Sequence, residues 1–118
     1  MTGIALAPWA IPAYVNLADV QRAQGSEHEA EATLRRALAR DPRSADVLHA
    51  LGLALVRQKR MPEAVDALGR AAALAPGRSR YAVAYALALR ETGDERRAQE
   101  VIDAARARRP GDPALAPY

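Results

Sequence analysis

The chain has 118 residues, of which half are hydrophobic and 26% are charged, and its formal net charge is +3. It contains no cysteine. This excludes disulfides, thiol catalysis and sulfur-ligated zinc, and it fits a cytoplasmic protein, although the periplasm stays open for a piece of a longer exported protein. No apolar run is long enough to span a membrane, and the charged fraction is that of a folded domain, so we expect neither a membrane partner nor disorder.

Taken in chain order, apolar residues recur with helical spacing in six stretches that are separated by short breaks. The breaks contain helix-start signals. Ser26 with Glu29 has the pattern of a capping box, Pro62 suits a first helical turn, and Asp94 is a good N-cap. The spacing predicts helices over about 11–24, 27–40, 45–58, 62–75, 79–92 and 95–108.

The six predicted helices form three units, because the same residue types return every 34 residues over 11–44, 45–78 and 79–112 without a gap. The positions that agree three times are Ala30, Ala64 and Ala98; Leu34, Leu68 and Ile102; Ala37, Ala71 and Ala105; and Pro42, Pro76 and Pro110. A period of this length indicates stacked helical hairpins, with the prolines ending the second helix of each pair.

The period, the hairpin and these residues together resemble the tetratricopeptide repeat (TPR). The resemblance covers about residues 11–112; the first unit departs from the pattern at Gln21 and the third at Ala82. The second unit matches best, at Leu48, Leu51, Gly52, Leu55, Ala64, Leu68, Ala71 and Pro76. The resemblance implies an all-α fold, a right-handed α-solenoid of three TPR helical hairpins. Small residues at Ala18, Gly52 and Ala86 then let the two helices of each hairpin approach closely.

We divide the chain into residues 1–10, a remnant of a preceding repeat or an N-terminal extension that includes Trp9; a TPR domain over 11–112; and a C-terminal tail over 113–118. Solenoids usually end in a polar capping helix, and neither end of this chain supplies one. We therefore expect residues 111–118 to be frayed, and we expect self-association as a homodimer through exposed repeat ends.

Residues with catalytic or ligand-binding chemistry are scarce, so we predict no catalytic residue, no cofactor, no metal site and no enzymatic activity. No phosphate-binding loop, metal-spaced cluster or nucleophile–base pair occurs, and His28 is expected on an exposed helix surface. The arginines raise the question of nucleic acid. Acids gather at the starts of the second helices and arginines at their ends, as the helix dipole favours, and stacking aromatics are few. We expect no nucleic-acid partner.

The concave face of the predicted solenoid is the candidate site. On the first helix of each unit, residues at steps of three and four are expected to line a groove. Leu53, Val56, Val83 and Leu87 are expected to form an apolar floor with charges around it. The full predicted groove is Val15, Asp19, Arg22, Asp46, His49, Leu53, Val56, Arg80, Val83, Leu87 and Arg90.

The resemblance implies a non-catalytic scaffold that binds a segment of another protein in this groove. The alternative is a regulatory or assembly appendage of a longer protein, an enzyme included, with self-association through its uncapped ends. TPR domains that grip chaperone C-terminal carboxylates use Lys, Arg and Asn on these helices. Only Arg80 agrees with that pattern; Val15, Asp19, Ala50 and Ala84 occupy the other positions, so we do not expect this clamp.

Overall fold

A computed structural model describes residues 10–118. The predicted remnant at 1–10, which includes Trp9, therefore lies outside the described residues except for its last residue. That part of the chain contains six α-helices and no strand. A short 3₁₀ helix follows at Pro113–Leu115. The α-helices are α1 (Ile11–Ala23), α2 (Glu27–Arg40), α3 (Ala45–Arg57), α4 (Met61–Leu74), α5 (Ser79–Glu91) and α6 (Glu95–Arg108). All six predicted helices are confirmed, with ends that differ by at most one residue.

The helices pack as three consecutive hairpins, and each hairpin also packs against the next one through α2 with α3 and α4 with α5. The first helices touch one another as well, α1 with α3 and α3 with α5, so they lie side by side along one face. The result is an all-α solenoid measuring 46 × 28 × 21 Å. We refer to the face formed by α1, α3 and α5 as the concave face.

Small residues let the helices approach, as the sequence predicted. Ala30, Ala64 and Ala98 begin the second helices at equivalent positions, and each is 0% exposed. At Gly52 on α3 a Cβ atom would lie only 2.5 Å from the side chain of Leu68 on α4. A larger residue at Gly52 would therefore force these two helices apart.

The turn inside each hairpin has a residue in the left-handed region. Two of the three are glycines, Gly25 with φ 82° and Gly93 with φ 87°, and the third is Lys59 with φ 59°. Only glycine adopts this conformation without steric cost. The middle turn therefore follows a backbone path like that of the other two, but at a steric cost, because Lys59 has a side chain.

The helix-start signals have mixed outcomes. Asp94 caps α6, since its Oδ1 accepts a hydrogen bond from the Arg97 backbone N–H at 3.1 Å, and Pro62 lies in the first turn of α4. The prediction that Ser26 and Glu29 form a capping box is wrong, because the side chain of Ser26, the residue before α2, accepts no hydrogen bond from the helix. The Ser26 backbone, at φ −98° and ψ 64°, is close to that of Asp94 at φ −96° and ψ 68°, so the two positions differ in the side chain and not in the backbone.

The expectation of a frayed tail also differs from the structure. Leu115 is 1% exposed and packs among the apolar residues of α5 and α6, and its carbonyl accepts a hydrogen bond from Arg106 Nη2 at 2.9 Å. The Ser79 hydroxyl donates to Asp112 Oδ2 at 2.5 Å. These contacts hold the tail against the last hairpin. By the 34-residue period, Leu115 has the position of Tyr81 and Val47, which are both fully buried.

Candidate functional site

A cavity of about 390 Å³ opens on the concave face between α1, α3 and the start of α5; we call it the groove pocket. Seven of the predicted groove residues line it, namely Val15, Asp19, Arg22, Asp46, His49, Leu53 and Arg80. The other lining residues are Ile11, Pro12, Asn16, Ala18, Ala30, Leu34, Ala50, Arg57 and Tyr81. Seven of the sixteen residues that line the cavity thus belong to the groove predicted from the repeat positions.

The remaining four predicted groove residues do not line the pocket, so the apolar floor proposed from the sequence is corrected. Val56 packs against the core formed by the first four helices, and Val83 packs against the core of α5 and α6. Leu87 is 41% exposed, and Arg90 donates to Glu95 Oε1 at 2.8 Å and to Gln99 Oε1 at 3.2 Å. Of the four floor residues only Leu53 lines the cavity, and Ile11, Val15 and Leu34 are the other large aliphatic residues of its lining.

One wall of the pocket is a ring pair that the sequence did not reveal. His49 on α3 stacks on Tyr81 of α5, with ring centroids 4.4 Å apart and planes inclined by 26°. The Tyr81 hydroxyl donates a short hydrogen bond to Asp46 Oδ1, and Arg78 lies 3.5 Å from the same carboxylate. The Arg80 guanidinium lies over the Tyr81 ring, 5.3 Å from its centroid. Burial, followed by the bond to Asp46, raises the pKa of Tyr81.

The environment of His49 keeps its imidazole neutral. Burial and, to a smaller extent, the positive charge of Arg80 lower the pKa of His49 from 6.5 to about 4, and the negative charge of Asp46 opposes the shift. Its Nδ1 atom is buried and has no hydrogen-bond partner within residues 10–118. His49 therefore presents an uncharged ring to the pocket at neutral pH.

The charges that line the pocket are only partly paired. Arg57, which the sequence analysis missed because it lies one position after the predicted stripe, donates to Glu27 Oε1 at 2.9 Å. Asp46 has the partners described above. In the described part of the chain, no side chain forms an ion pair with Asp19, Arg22 or Arg80. Among residues 10–118, the guanidinium groups of Arg22 and Arg80 and the carboxylate of Asp19 thus have no ion-pair partner.

A second cavity, of about 360 Å³, lies between α2 and α4 and over α3; we call it the α2–α4 cleft. Its floor consists of apolar side chains and its rim of charged ones, all of which have partners. Arg35 lies 2.8 Å from Glu31 and 3.5 Å from Glu63, and Arg70 lies 3.9 Å from Asp66. The lining residues are Arg35, Leu38, Leu48, Leu51, Leu55, Pro62, Glu63, Asp66, Ala67 and Arg70.

Neither cavity holds the side chains of a metal site. Over residues 10–118, no three His, Cys, Asp or Glu side chains are grouped so that they could hold an ion. Among the same residues, no helix combines the length and the apolar character that a membrane crossing requires. The chemistry offered by the groove pocket is therefore that of shape, hydrogen bonds and charge.

Comparisons with known proteins agree with this architecture. Structurally, the chain is similar to MamA, with 24% identity and a TM-score of 0.76 over 86% of this chain and 59% of that one. It is also similar to a mutant of Thermobaculum terrenum O-GlcNAc transferase, with 27% identity and a TM-score of 0.77 over 92% and 21% of the two chains. The first TPR of Spaghetti (RPAP3), bound to an HSP90 peptide, has 16% identity and a TM-score of 0.81 over 98% and 91%.

The chain therefore spans about three fifths of MamA and about a fifth of the transferase. No curated protein matches it in sequence. The sequence model of the tetratricopeptide repeat matches residues 15–82, which is more than half of the chain. Together with the three stacked hairpins, this match shows that the chain belongs to the tetratricopeptide repeat family.

Proposed function

We propose that the chain is a non-catalytic scaffold for protein–protein interaction and that its concave groove holds a segment of a partner protein. The observation that carries this proposal is the groove pocket, whose apolar lining from Ile11, Val15 and Leu53 is surrounded by charged side chains. A pocket that combines a few polar groups with an apolar floor suits a peptide side chain. For the compartment we propose the cytoplasm, with which a cysteine-free chain is compatible.

Structural neighbours support a peptide as the kind of partner. The two TPR domains of RPAP3 were solved with HSP90 and HSP70 peptides, and YrrB is described as a TPR protein with an unusual peptide-binding site. Their identity to this chain is 16%, so the likeness concerns the fold. The chaperone peptides themselves are not our proposal, because Val15, Asp19, Ala50 and Ala84 replace the polar residues of the carboxylate clamp.

The proposal is tested with a phage-displayed library of random dodecamer peptides, selected on the immobilised protein. We expect enriched peptides whose binding is abolished by Leu53→Glu, because that substitution places a charge in the apolar part of the pocket. Ala73→Glu, at an exposed position on α4, is the matched control and should bind as the wild type does. Far-UV circular dichroism checks that both variants keep their helices. A library that yields no peptide, or peptides that bind Leu53→Glu unchanged, contradicts the proposal.

A second candidate is a TPR appendage of a longer protein that associates through its ends. Val20 on α1 is 51% exposed, whereas Ala54 and Ala88, one and two periods later, are buried under the preceding hairpin. The face of α1 that carries Val20 thus has the position of a contact between repeats. The similar chain of O-GlcNAc transferase, of which this chain covers 21%, is consistent with such an appendage.

This second candidate is tested by sedimentation velocity over a wide concentration range. If the Val20 face is a contact between copies, the wild type should dimerise at high concentration and Val20→Glu should remain monomeric. A wild type that remains monomeric throughout excludes the homodimer. The sequence of any longer protein that contains this chain would then show whether a catalytic domain flanks it.

A further inference from the structure

The groove pocket holds a cationic side chain, Arg80, that no carboxylate of the described residues balances. Arg80 is exposed, and in the region the structure describes no carboxylate lies within ion-pair distance of it. Asp46, which has the repeat position of Arg80 one unit earlier, already accepts the hydrogen bond of the Tyr81 hydroxyl and pairs with Arg78. The contact of Arg80 with the Tyr81 ring fixes the position of its guanidinium but does not neutralise it. Arg80 is therefore free to pair with a group from outside.

His49 adds a hydrogen-bond donor beside this cation. The Nδ1 atom is buried without a partner among the described residues, so Nε2 is the ring nitrogen that remains to bond in the pocket. With its proton on Nε2, the neutral ring donates an N–H there. Stacking on Tyr81, at 4.4 Å between centroids, holds the ring in place. Arg80 and His49 both contact the Tyr81 ring and both line the pocket, where each can present an N–H donor.

The pocket beside these donors is apolar. Leu53 follows His49 by one helical turn on the same face of α3, and Val15 occupies the position equivalent to His49 on α1. Two N–H donors, one of them charged, are complementary to a carboxylate, and the adjoining surface is complementary to an aliphatic side chain. We infer that Arg80 and the Nε2–H of His49 receive an acidic side chain of the partner segment, while a neighbouring aliphatic side chain packs against Leu53 and Val15.

This inference rests on the proposed function and specifies the chemistry of its partner. It commits to an acidic side chain inside a segment rather than to a chain terminus. The unpaired carboxylate of Asp19 lies farther along the pocket, where it repels a second negative charge. The favoured partner segment therefore places one carboxylate at the Arg80 end of the pocket. Aliphatic rather than acidic residues follow it.

The experiment uses the random dodecamers selected above, displayed with their C-termini joined to the phage coat so that no free terminal carboxylate is present. Enriched peptides should carry Glu or Asp within a few residues of Leu, Ile or Val. A synthetic peptide of this type and its Glu→Gln counterpart are then compared by fluorescence anisotropy. On the wild type we expect the Gln peptide to bind about tenfold more weakly, because it loses charge-assisted hydrogen bonds.

Two variants attribute that difference to the proposed residues. His49→Phe keeps a ring to stack on Tyr81 but removes the Nε2 donor, and Arg80→Gln removes the cation from an exposed position where folding is not at risk. On each variant the preference for Glu over Gln should fall several-fold. Arg108→Gln, an exposed arginine on α6, is the matched control and should keep the full preference.

The outcomes separate the two proposals. Peptides that are enriched and require Leu53, but show no acidic residue or keep their preference for Glu on Arg80→Gln, overturn this inference and leave the groove as the binding site. Selected peptides that require a free C-terminal carboxylate when synthesised also overturn it. If no peptide is selected at all, the proposed function and this inference fail together.

Discussion

The two cavities of the molecule are similar in volume, about 390 Å³ for the groove pocket and about 360 Å³ for the α2–α4 cleft, but their charges differ. On the rim of the α2–α4 cleft each arginine faces an acid on the same or the neighbouring helix, as Arg35 faces Glu31 and Glu63. In the groove pocket Arg22, Arg80 and Asp19 have no such partner within the described chain.

From this difference we propose that the α2–α4 cleft serves the fold and that the groove pocket is available to a partner. Where charges are paired within the chain, removing one partner leaves the other unsatisfied and should reduce stability. Where a charge is unpaired and exposed, its removal should leave stability unchanged and affect only what binds. The following predictions test this contrast, beginning with the largest expected effect.

The acid at the centre of the paired network should matter most. Glu31 is 8% exposed and accepts hydrogen bonds from Arg35 Nε at 2.8 Å, Arg60 Nη1 at 2.7 Å and Gln58 Nε2 at 3.0 Å. Burial would raise its pKa, but these three bonds outweigh burial and lower it. Glu31→Ala should cost about 3 kcal/mol of unfolding free energy in urea titrations, because it leaves several charge-assisted donors without an acceptor.

The matched control is Glu29→Ala, two residues earlier on the exposed side of α2, which should change stability by less than about 0.5 kcal/mol. Equal losses for Glu29→Ala and Glu31→Ala would contradict the view that the network stabilises the contact between the first two hairpins.

The close packing of the alanines should give the next largest effect. Ala64 is 0% exposed in the core shared by the first four helices. Ala64→Leu adds three carbon atoms to a contact that has no room and should cost about 2 kcal/mol through overpacking. Ala73→Leu, on an exposed face of the same helix, should change little. Unchanged urea melts for Ala64→Leu would argue against this packing.

The neutral imidazole in the groove pocket predicts a pH dependence. Because burial and the Arg80 charge lower the pKa of His49 from 6.5 to about 4, the unfolded chain binds a proton at this residue more readily than the folded chain does. Stability should therefore fall as the pH is lowered through this interval, from about 6.5 to about 4. The measurement is the difference between wild type and His49→Phe in urea titrations across that interval, which cancels the carboxylates. A constant difference would exclude a neutral buried His49.

The smallest effect on stability is expected for Arg80. Arg80→Ala removes an exposed, unpaired cation and should change the unfolding free energy by less than about 0.5 kcal/mol. It should nevertheless weaken binding of acidic peptides and reduce the salt dependence of their affinity. A loss of stability comparable to that of Glu31→Ala would show that the contrast between the two cavities is wrong.

The sequence predicted the helices and half of the site for a clear reason. Helix ends and buried alanines follow from the local pattern and from the 34-residue period. The period also places Val15 and His49 at one repeat position of the first helices, and Asp46 and Arg80 at another. It did not predict that Tyr81 pairs with Asp46, which is 35 residues away, or stacks on His49. Such contacts depend on how neighbouring hairpins are oriented, and the pattern within one repeat does not contain that orientation.

The orientation of neighbouring hairpins also explains why part of the predicted groove does not line the pocket. Val56 and Val83 have groove positions in their own repeats, but neighbouring helices cover them in the assembled solenoid. Leu115 belongs to the pattern of buried positions at Val47 and Tyr81, so the period itself contained a signal that the tail would dock. The expectation of a frayed tail followed instead from the lack of a full helix after residue 112.

Lys59, the residue in the left-handed turn between α3 and α4, is also the only lysine of the chain. Its ammonium group is exposed and does not line the groove pocket. Apart from the α-amino group, amine-reactive reagents can therefore attach a fluorophore, a biotin or a surface linker at one defined side chain, which lies outside the proposed peptide contacts. A molecule tethered through this turn would keep the residues of the groove pocket unmodified.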